Sequence, residues 1–439
     1  MTLRISVIGT GYLGATHAAG MAELGHEVIG VDTDAAKVAV LSAGEVSFYE
    51  PGLADLLGRH VASGRLRFTT SIAEAADFAD VHFICVGTPQ RSGGYSAELR
   101  PVEGAIDGLA RGLTRPCLVV GKSTVPVGTA ERLAGRLAEL APAGLGVDLA
   151  WNPEFLREGH AVEDTLRPDR LVVGVESPTA EKTLREVYAV PLAEGVPCVV
   201  TDLATAELTK VAANSFLATK VSFINAMAEL CEVTGADVVT LADAIGYDER
   251  IGRRYLNAGL GFGGGCLPKD IRAFMARAGE LGVDQALTFL REVDAINMRR
   301  RHRVVEVAKA ECDGSVLGKR IGVLGAAFKP RSDDVRDSPA LNVAAQLQLQ
   351  GAHVSVYDPQ ANANAKQLFP TLRYAGGVLE AAEGADLVLH LTEWEEFRHL
   401  DPDDVGAVVA KRRILDGRNA LDPDRWRSAG WTYRALGRP

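Results

Sequence analysis

At 439 residues, with 47% hydrophobic and 24% charged side chains, the chain has a globular composition and is too long for one ordinary domain. Its net charge of −10 argues against nucleic acid as a general partner, while leaving room for a local basic pocket that takes a small anion. No run approaches the apolar length of a membrane span, and the first residues are too short in their apolar run for a signal peptide. The six cysteines lack CxxC spacing, which points to reduced thiols in a cytoplasmic protein with neither a disulfide frame nor a metal site.

Residues 3–8 form an apolar run of strand length, followed by Gly9-Thr10-Gly11-Tyr12-Leu13-Gly14 and a helix to about residue 24. A second strand, 28–31, ends at Asp32. This is the opening βαβ of a doubly wound sheet. Further strand-like runs at 81–86, 118–120 and 171–175 each end in loops rich in Gly, Thr, Ser or Pro. From about 202 the pattern becomes helical: 205–234 is one long helix, and 289–310 is a second with a basic stretch at 299–303. That second helix is the candidate dimer interface. After Asp313-Gly314 an α/β pattern returns, with strands at 320–324, 354–357 (ending at Asp358) and 387–391. The fold class expected is therefore α/β: two Rossmann-like doubly wound domains joined by a long central helix and a helical dimerisation region. The boundaries are 1–200 for NAD binding, 201–312 for the helical region and 313–439 for the second Rossmann-like domain.

The glycines at 9, 11 and 14 allow the tight turn, the approach of a pyrophosphate and close helix–strand packing. Asp32 stands where it would accept hydrogen bonds from the adenosine ribose and repel a 2′-phosphate, which favours NAD over NADP; Lys37 lies nearby. Loops at Thr88 and at Ser123-Thr124 follow strands, and their hydroxyls are placed to line the nicotinamide side, although Ser, Thr and Pro also simply make turns. In Asn152-Pro153-Glu154-Phe155-Leu156-Arg157-Glu158-Gly159, apolar neighbours would desolvate Glu154 and raise its pKa toward that of a base. Glu207, Lys210 and Asn214 share one helix face, where Lys210 and Asn214 can jointly hold an oxyanion. In Gly261-Phe262-Gly263-Gly264-Gly265-Cys266-Leu267-Pro268-Lys269-Asp270, one cysteine ends a glycine-rich loop beside a lysine, the setting of a candidate thiolate. Cys85, Cys117 and Cys198 sit in or beside apolar strands and read as core. Fingerprint and cysteine loop together suggest a dehydrogenase with a covalent cysteine step.

With these motifs assembled, and with Arg250-Ile251-Gly252, Phe328-Lys329 with Arg336, and Asp416-Gly417-Arg418, the chain resembles the nucleotide-sugar dehydrogenase family over essentially its whole length. The resemblance implies NAD as cofactor and UDP-glucose as substrate, oxidised twice at C6, with GDP-mannose as the alternative. It also implies a homodimer with a shared substrate site and a C-terminal domain that binds UDP. Carried over by position, Cys266 is the nucleophile; Lys210, Asn214, Asp270 and Thr124 surround the reacting centre; Glu154 serves hydrolysis. Gly9, Gly11, Tyr12, Leu13, Gly14, Asp32, Lys37, Thr88, Thr124, Glu158, Lys269 and Arg336 would meet NAD. Glu154, Phe155, Leu156, Lys210, Asn214, Tyr255, Leu256, Asn257, Ala258, Gly259, Phe262, Gly263, Lys329 and Arg418 would meet substrate, with Arg250 reaching it from the neighbouring subunit. The chain departs from many relatives at Gly265, where they carry Ser, and from some at Asn257, where they carry Lys. A two-electron hydroxyacid dehydrogenase would need no cysteine, and a non-catalytic sensor would not need the whole set.

Overall fold

The computed structural model describes residues 2–439. The chain divides into two compact units, one of residues 1–213 and 272–282, the other of 214–271 and 283–439.

The first unit holds β1 (Arg4–Ile8), β2 (Glu27–Val31), β3 (Leu66–Thr69), β4 (Val81–Ile84), β5 (Cys117–Gly121), β6 (Val147–Trp151), β7 (Leu171–Gly174) and β8 (Cys198–Thr201). They form one sheet in the order β3-β2-β1-β4-β5-β6-β7-β8, parallel except where β7 meets β6. Alternate residues feed opposite faces: Ile5, Val7 and Val28 pack with Ala15, Ala18 and Ala22, whereas Ile8, Ile29 and Val31 pack with Ile106 and Leu109. Burial on both faces explains why these strands read as continuous apolar runs. The strands missed in the sequence include the two at the sheet edges, β3 and β8, which alternate or expose their side chains. Cys198 accordingly lies half-buried on an edge strand, not in the core as expected.

The second unit holds β9 (Arg320–Leu324), β10 (His353–Tyr357), β11 (Arg373–Tyr374), β12 (Leu387–His390), β13 (Arg413–Asp416) and β14 (Thr432–Ala435), all parallel, in the order β11-β10-β9-β12-β13-β14. Numbered from its own first strand, this is 3-2-1-4-5-6, the order that opens the first sheet and that of a dinucleotide-binding Rossmann fold. The likeness reaches single bonds. The Gly9 N–H donates to the Val31 carbonyl at 2.8 Å, and the Gly325 N–H to the Tyr357 carbonyl at 2.8 Å; both glycines have positive φ.

The long helix Leu203–Thr234 leaves the first unit and continues into the second. The helix Thr288–Glu311 carries a basic stretch that is structural. Arg300 and Arg301 are buried, and Arg299, Arg300 and Arg303 pair with Glu229 or Glu232 of the long helix. These pairs commit one face of the helix to the long helix, while Phe289 and Met298 on it stay exposed. An exposed apolar stripe lies on the long helix, at Phe216, Phe223 and Leu230, spaced by seven residues. No described helix is long and apolar enough to cross a membrane.

Candidate active site

The first unit builds a cradle for a dinucleotide. A Cβ on Gly14 would meet the Gly9 carbonyl oxygen at 1.8 Å, so the helix Tyr12–Glu23 approaches β1 as closely as it does only without a side chain there. A Cβ on Gly11 would meet nothing within 4 Å. The helix has no side-chain cap and no acid in its first turn, which leaves its N–H groups to an anion. Leu13 packs against the core, and Tyr12 donates its phenol to Glu50. Asp32 Oδ2 accepts from Thr10 N at 3.0 Å and Lys37 Nζ at 2.9 Å, and Oδ1 from Asp34 N at 3.1 Å. Burial pushes this carboxyl up, but Lys37 and the two backbone donors outweigh it and hold Asp32 below its usual range. The residues present therefore fit NAD.

The corresponding residue of the second unit has lost that capacity. Asp358 is 2% exposed and accepts from Ala326 N, Ala327 N, Gln360 N, Ala361 N and the Trp394 indole. Five donors saturate it, so no ribose hydroxyl can take its place without breaking the fold's own bonds.

After β4 and β5 the hydroxyls expected beside the nicotinamide tie the loops together. Thr88 donates to the Thr124 carbonyl at 2.7 Å and Ser123 to the Val86 carbonyl at 2.7 Å. After β6, Glu154 is half-buried. Its Oε1 lies 2.9 Å from Lys210 Nζ and its Oε2 accepts from Leu156 N at 2.6 Å. Burial raises this carboxyl, yet Lys210 and the Leu156 N–H bring it below the usual value, so the expected upward shift does not occur. Phe155 lies under Arg170, 3.8 Å from guanidinium to ring. The half-buried Glu158 precedes Gly159, whose N–H donates to Glu50 at 2.6 Å.

Glu207 does not join the Lys210 and Asn214 pair. It accepts from Gly128 N at 2.7 Å and Ala130 N at 2.6 Å, capping the helix Thr129–Leu140. In the second unit Asn214 donates to Asp270 Oδ2 at 2.7 Å, and Lys269 lies 2.6 Å from Asp270 Oδ1. Cys266 immediately precedes the helix Leu267–Glu280, its carbonyl accepting the Asp270 N–H. The positive end of that helix favours negative charge at this place. Of the six cysteines only Cys266 is exposed. One long helix thus carries Lys210, the partner of Glu154, and one turn later Asn214, the partner of Asp270.

The glycines before Cys266 serve close packing within the second unit. A Cβ on Gly263 would meet the Asp337 carbonyl oxygen at 2.3 Å, and Gly264, at φ 83°, lies against Phe328. At Gly265 the obstacle is the guanidinium of Arg336, a flexible side-chain end, so this is the place where the run tolerates a serine. Arg336 is exposed and paired with Asp334, and Lys329 lies 5.4 Å from the Phe328 ring centroid. Tyr255 has a left-handed backbone, φ 66°. Leu256 and Ala258, expected at the substrate, point into a core with Ile224 and Ala228, which leaves only their backbone for a ligand. Asn257 accepts from Arg253 at 2.8 Å. The backbones of Gly259 and Phe262 are held by Asn225, Arg300, Asn297 and Arg301. Arg418 donates to the carbonyls of Leu391, Gly261 and Phe328. It clamps three loops and also pairs with Glu393 at 3.2 Å. Arg250 is 89% exposed and paired only with Asp248, also at the surface.

Three domain profiles of the UDP-glucose/GDP-mannose dehydrogenase family match: the NAD binding domain over residues 3–191, the central domain over 204–299 and the UDP binding domain over 322–423. The chain belongs to this family. It is 42% identical, over the full length of both chains, to UDP-glucose 6-dehydrogenase of Rhizobium meliloti (strain 1021). The structure of a UDP-glucose dehydrogenase from Pyrobaculum islandicum is 40% identical, with 100% of this chain and 98% of that one covered and a TM-score of 0.91. A ternary complex of GDP-mannose dehydrogenase from Pseudomonas aeruginosa is 27% identical over 99% of this chain and 100% of that one, with a TM-score of 0.55.

As a member of this family the chain is an NAD-dependent oxidoreductase. Two residues at its site escaped the sequence reading. Glu50 ties the loop after β6 to the fingerprint helix by accepting from Gly159 N, Ala161 N and Tyr12. Lys122, buried behind β5, donates to Asn152 Oδ1 at 2.9 Å. Only the adjacency of Lys122 to Ser123-Thr124 could have drawn attention to it. Nothing in the local sequence marks Glu50.

Proposed function

We propose that the chain oxidises UDP-glucose at C6 to UDP-glucuronate in two successive two-electron steps on one site. The observation that carries this reading is the position of Cys266: the one exposed cysteine, at the head of a helix whose first turn presents Asp270 bound to Asn214. The names of the full-length relatives agree with it. NAD, when bound, supplies the hydride acceptor for each oxidation. The fingerprint glycines, Asp32 and Lys37 would hold it, with Thr88, Thr124, Glu158, Lys269 and Arg336 as further contacts.

An aldehyde at C6 has no hydride to give until a nucleophile adds. The Cys266 thiolate adds to the aldehyde carbon to form a thiohemiacetal. Loss of a hydride from that carbon and a proton from its hydroxyl leaves a thioester on Cys266. Water then cleaves the C–S bond, releasing the carboxylate and returning the thiol. Lys210 and Asn214 would stabilise the tetrahedral oxyanions, each donor contributing roughly 3 kcal/mol. Asp270 holds Asn214 in place, and Glu154 orients the hydrolytic water. Tyr255, Asn257, Gly263, Phe155, Leu156, Lys329 and Arg418 would hold the UDP-sugar, together with the backbone of Leu256, Ala258, Gly259 and Phe262.

The same reading makes the chain a homodimer through the exposed Phe216, Phe223 and Leu230 stripe, with Arg250 reaching the neighbour's substrate. It divides the work among 1–200, 201–312 and 313–439 as NAD binding, dimerisation with the cysteine loop, and UDP-sugar binding. Six free cysteines suit a reducing, cytoplasmic setting. The test is NADH formation from UDP-glucose, with GDP-mannose and UDP-galactose as controls. Turnover of UDP-glucose alone supports the assignment, and turnover confined to GDP-mannose rejects it.

A further inference from the structure

Lys122 follows β5 and is 6% exposed, with its ammonium 5.9 Å from the Phe83 ring centroid and 5.8 Å from that of Tyr188. A buried ammonium is expensive unless paired, yet among the described residues no carboxylate lies within ion-pairing distance. Its hydrogen-bond partners are neutral: Asn152 Oδ1 at 2.9 Å and the Tyr188 hydroxyl at 3.3 Å. Tyr188 in turn donates to Asn152 Oδ1 at 2.6 Å, and Asn152 Nδ2 donates to the Val172 carbonyl at 2.8 Å. Asn152 is therefore fixed on every side, two residues before Glu154. A cavity of about 40 Å³ is lined by Lys122, Asn152, Glu154 and His17 together.

The charges around Lys122 identify what it serves. Burial lowers it to about 8, and the thiol of Cys85 and the carboxylate of Glu154 act to hold it up while Lys210 acts against it. Burial in turn pushes Cys85 up to about 12, so it is a neutral thiol at ordinary pH. His17, on the fingerprint helix, is kept neutral by burial and by Lys122 itself. Glu154 shares the cavity with Lys122 and acts to hold its charge; Asp164 and Asp169 also line that cavity. Lys210, the direct partner of Glu154, is also the cation that turnover would call on to meet an oxyanion. While Lys210 is so engaged, a second cation is needed to keep Glu154 ionised.

We propose that Lys122 is a positioning residue for Glu154: it fixes the Asn152-Pro153-Glu154 turn and supplies the positive charge that remains beside the carboxylate when Lys210 turns to the substrate. The proposal rests on the reading of Glu154 as the residue that serves thioester hydrolysis. Removing Lys122 should then slow hydrolysis and shift its acid limb upward, because a carboxylate that loses a nearby cation protonates at higher pH.

The experiment follows release of the acid product from full-length wild type, Lys122→Met, Lys122→Gln, Lys122→Arg and Glu154→Gln between pH 5 and 9, with NAD binding as the check of folding. For Lys122→Met we expect NAD binding close to wild type, acid release at pH 7 slower by roughly tenfold, and an acid limb moved up by about one pH unit. Lys122→Arg should restore the wild-type limb because it keeps the charge. Lys122→Gln, which keeps a donor for Asn152, gives the same reading if methionine prevents folding. If Glu154→Gln is impaired while the neutral Lys122 variants keep the wild-type rate and acid limb, the proposal is overturned. If Glu154→Gln itself releases acid at the wild-type rate, the underlying assignment of Glu154 fails first.

Discussion

Lys210 Nζ stands 2.9 Å from Oε1 of Glu154, with Lys210 buried and the Glu154 side chain 12% exposed. The pair decides the resting state of Glu154: a carboxylate, held below its usual pKa, able to orient water but not to donate a proton. Glu154→Gln keeps the shape and removes the charge. Acid release should fall by roughly 10²- to 10³-fold. Mass spectrometry of the variant mixed with UDP-glucose and NAD should find an adduct on Cys266 that wild type does not accumulate. Slow turnover without an adduct would place the role of Glu154 earlier in the reaction.

Glu207 gives a pH dependence of stability. Burial raises it to about 7 despite two backbone donors at the head of the helix Thr129–Leu140. An unfolded glutamate titrates near 4.3. The native state therefore binds the extra proton between these values, and stability from this group is full below about 4.3 and lost as pH rises through about 7. The difference is worth roughly 4 kcal/mol. Between pH 5 and 8 the melting temperature of wild type should fall relative to that of Glu207→Gln. Parallel curves would mean that Glu207 is charged throughout.

In the proposed NAD site Asp32 gates the cofactor. With its carboxylate held by Thr10, Asp34 and Lys37, it presents a fixed negative charge where a 2′-phosphate would lie. Wild type should prefer NAD over NADP by at least roughly a hundredfold in kcat/KM, and Asp32→Ala should narrow that gap. Equal use of both cofactors by wild type would remove Asp32 from the ribose.

The fold was legible where glycine spacing and apolar runs coincide. Gly9, Gly11 and Gly14 between β1 and β2 announce a dinucleotide turn, and Cys266 stands out because its neighbours carry almost no side chains. Other features depend on contacts that no local pattern encodes. Glu50 meets Gly159 across 109 positions of sequence, and Lys122 meets Tyr188 across 66. Asp32 and Asp358 look alike in sequence, each ending a strand after a glycine loop, yet the indole of Trp394 and four N–H groups fill the second and leave it no ligand capacity. Leu256 and Ala258 lie in a motif that resembles substrate-binding sequences, but their side chains are core.

Arg250 tests the shared site. Its guanidinium is 89% exposed and pairs with Asp248. Arg250→Ala should weaken UDP-glucose binding by at least roughly tenfold and leave NAD binding unchanged. Hybrid dimers of Arg250→Ala with Cys266→Ala should regain activity, because one of the two sites then pairs an intact Cys266 with an intact Arg250 from the neighbour. Proven subunit exchange with no recovered activity would confine Arg250 to its own chain.

The proposed function rests on one site that carries UDP-glucose from alcohol to acid through sulfur. Its most direct test is the yield of NADH per UDP-glucose consumed to completion, measured for wild type alongside the sugar product. Two NADH and one UDP-glucuronate per sugar are expected, and for Cys266→Ala no acid at all. One NADH per sugar with the aldehyde as the released product, or acid formed at the wild-type rate without Cys266, would contradict it.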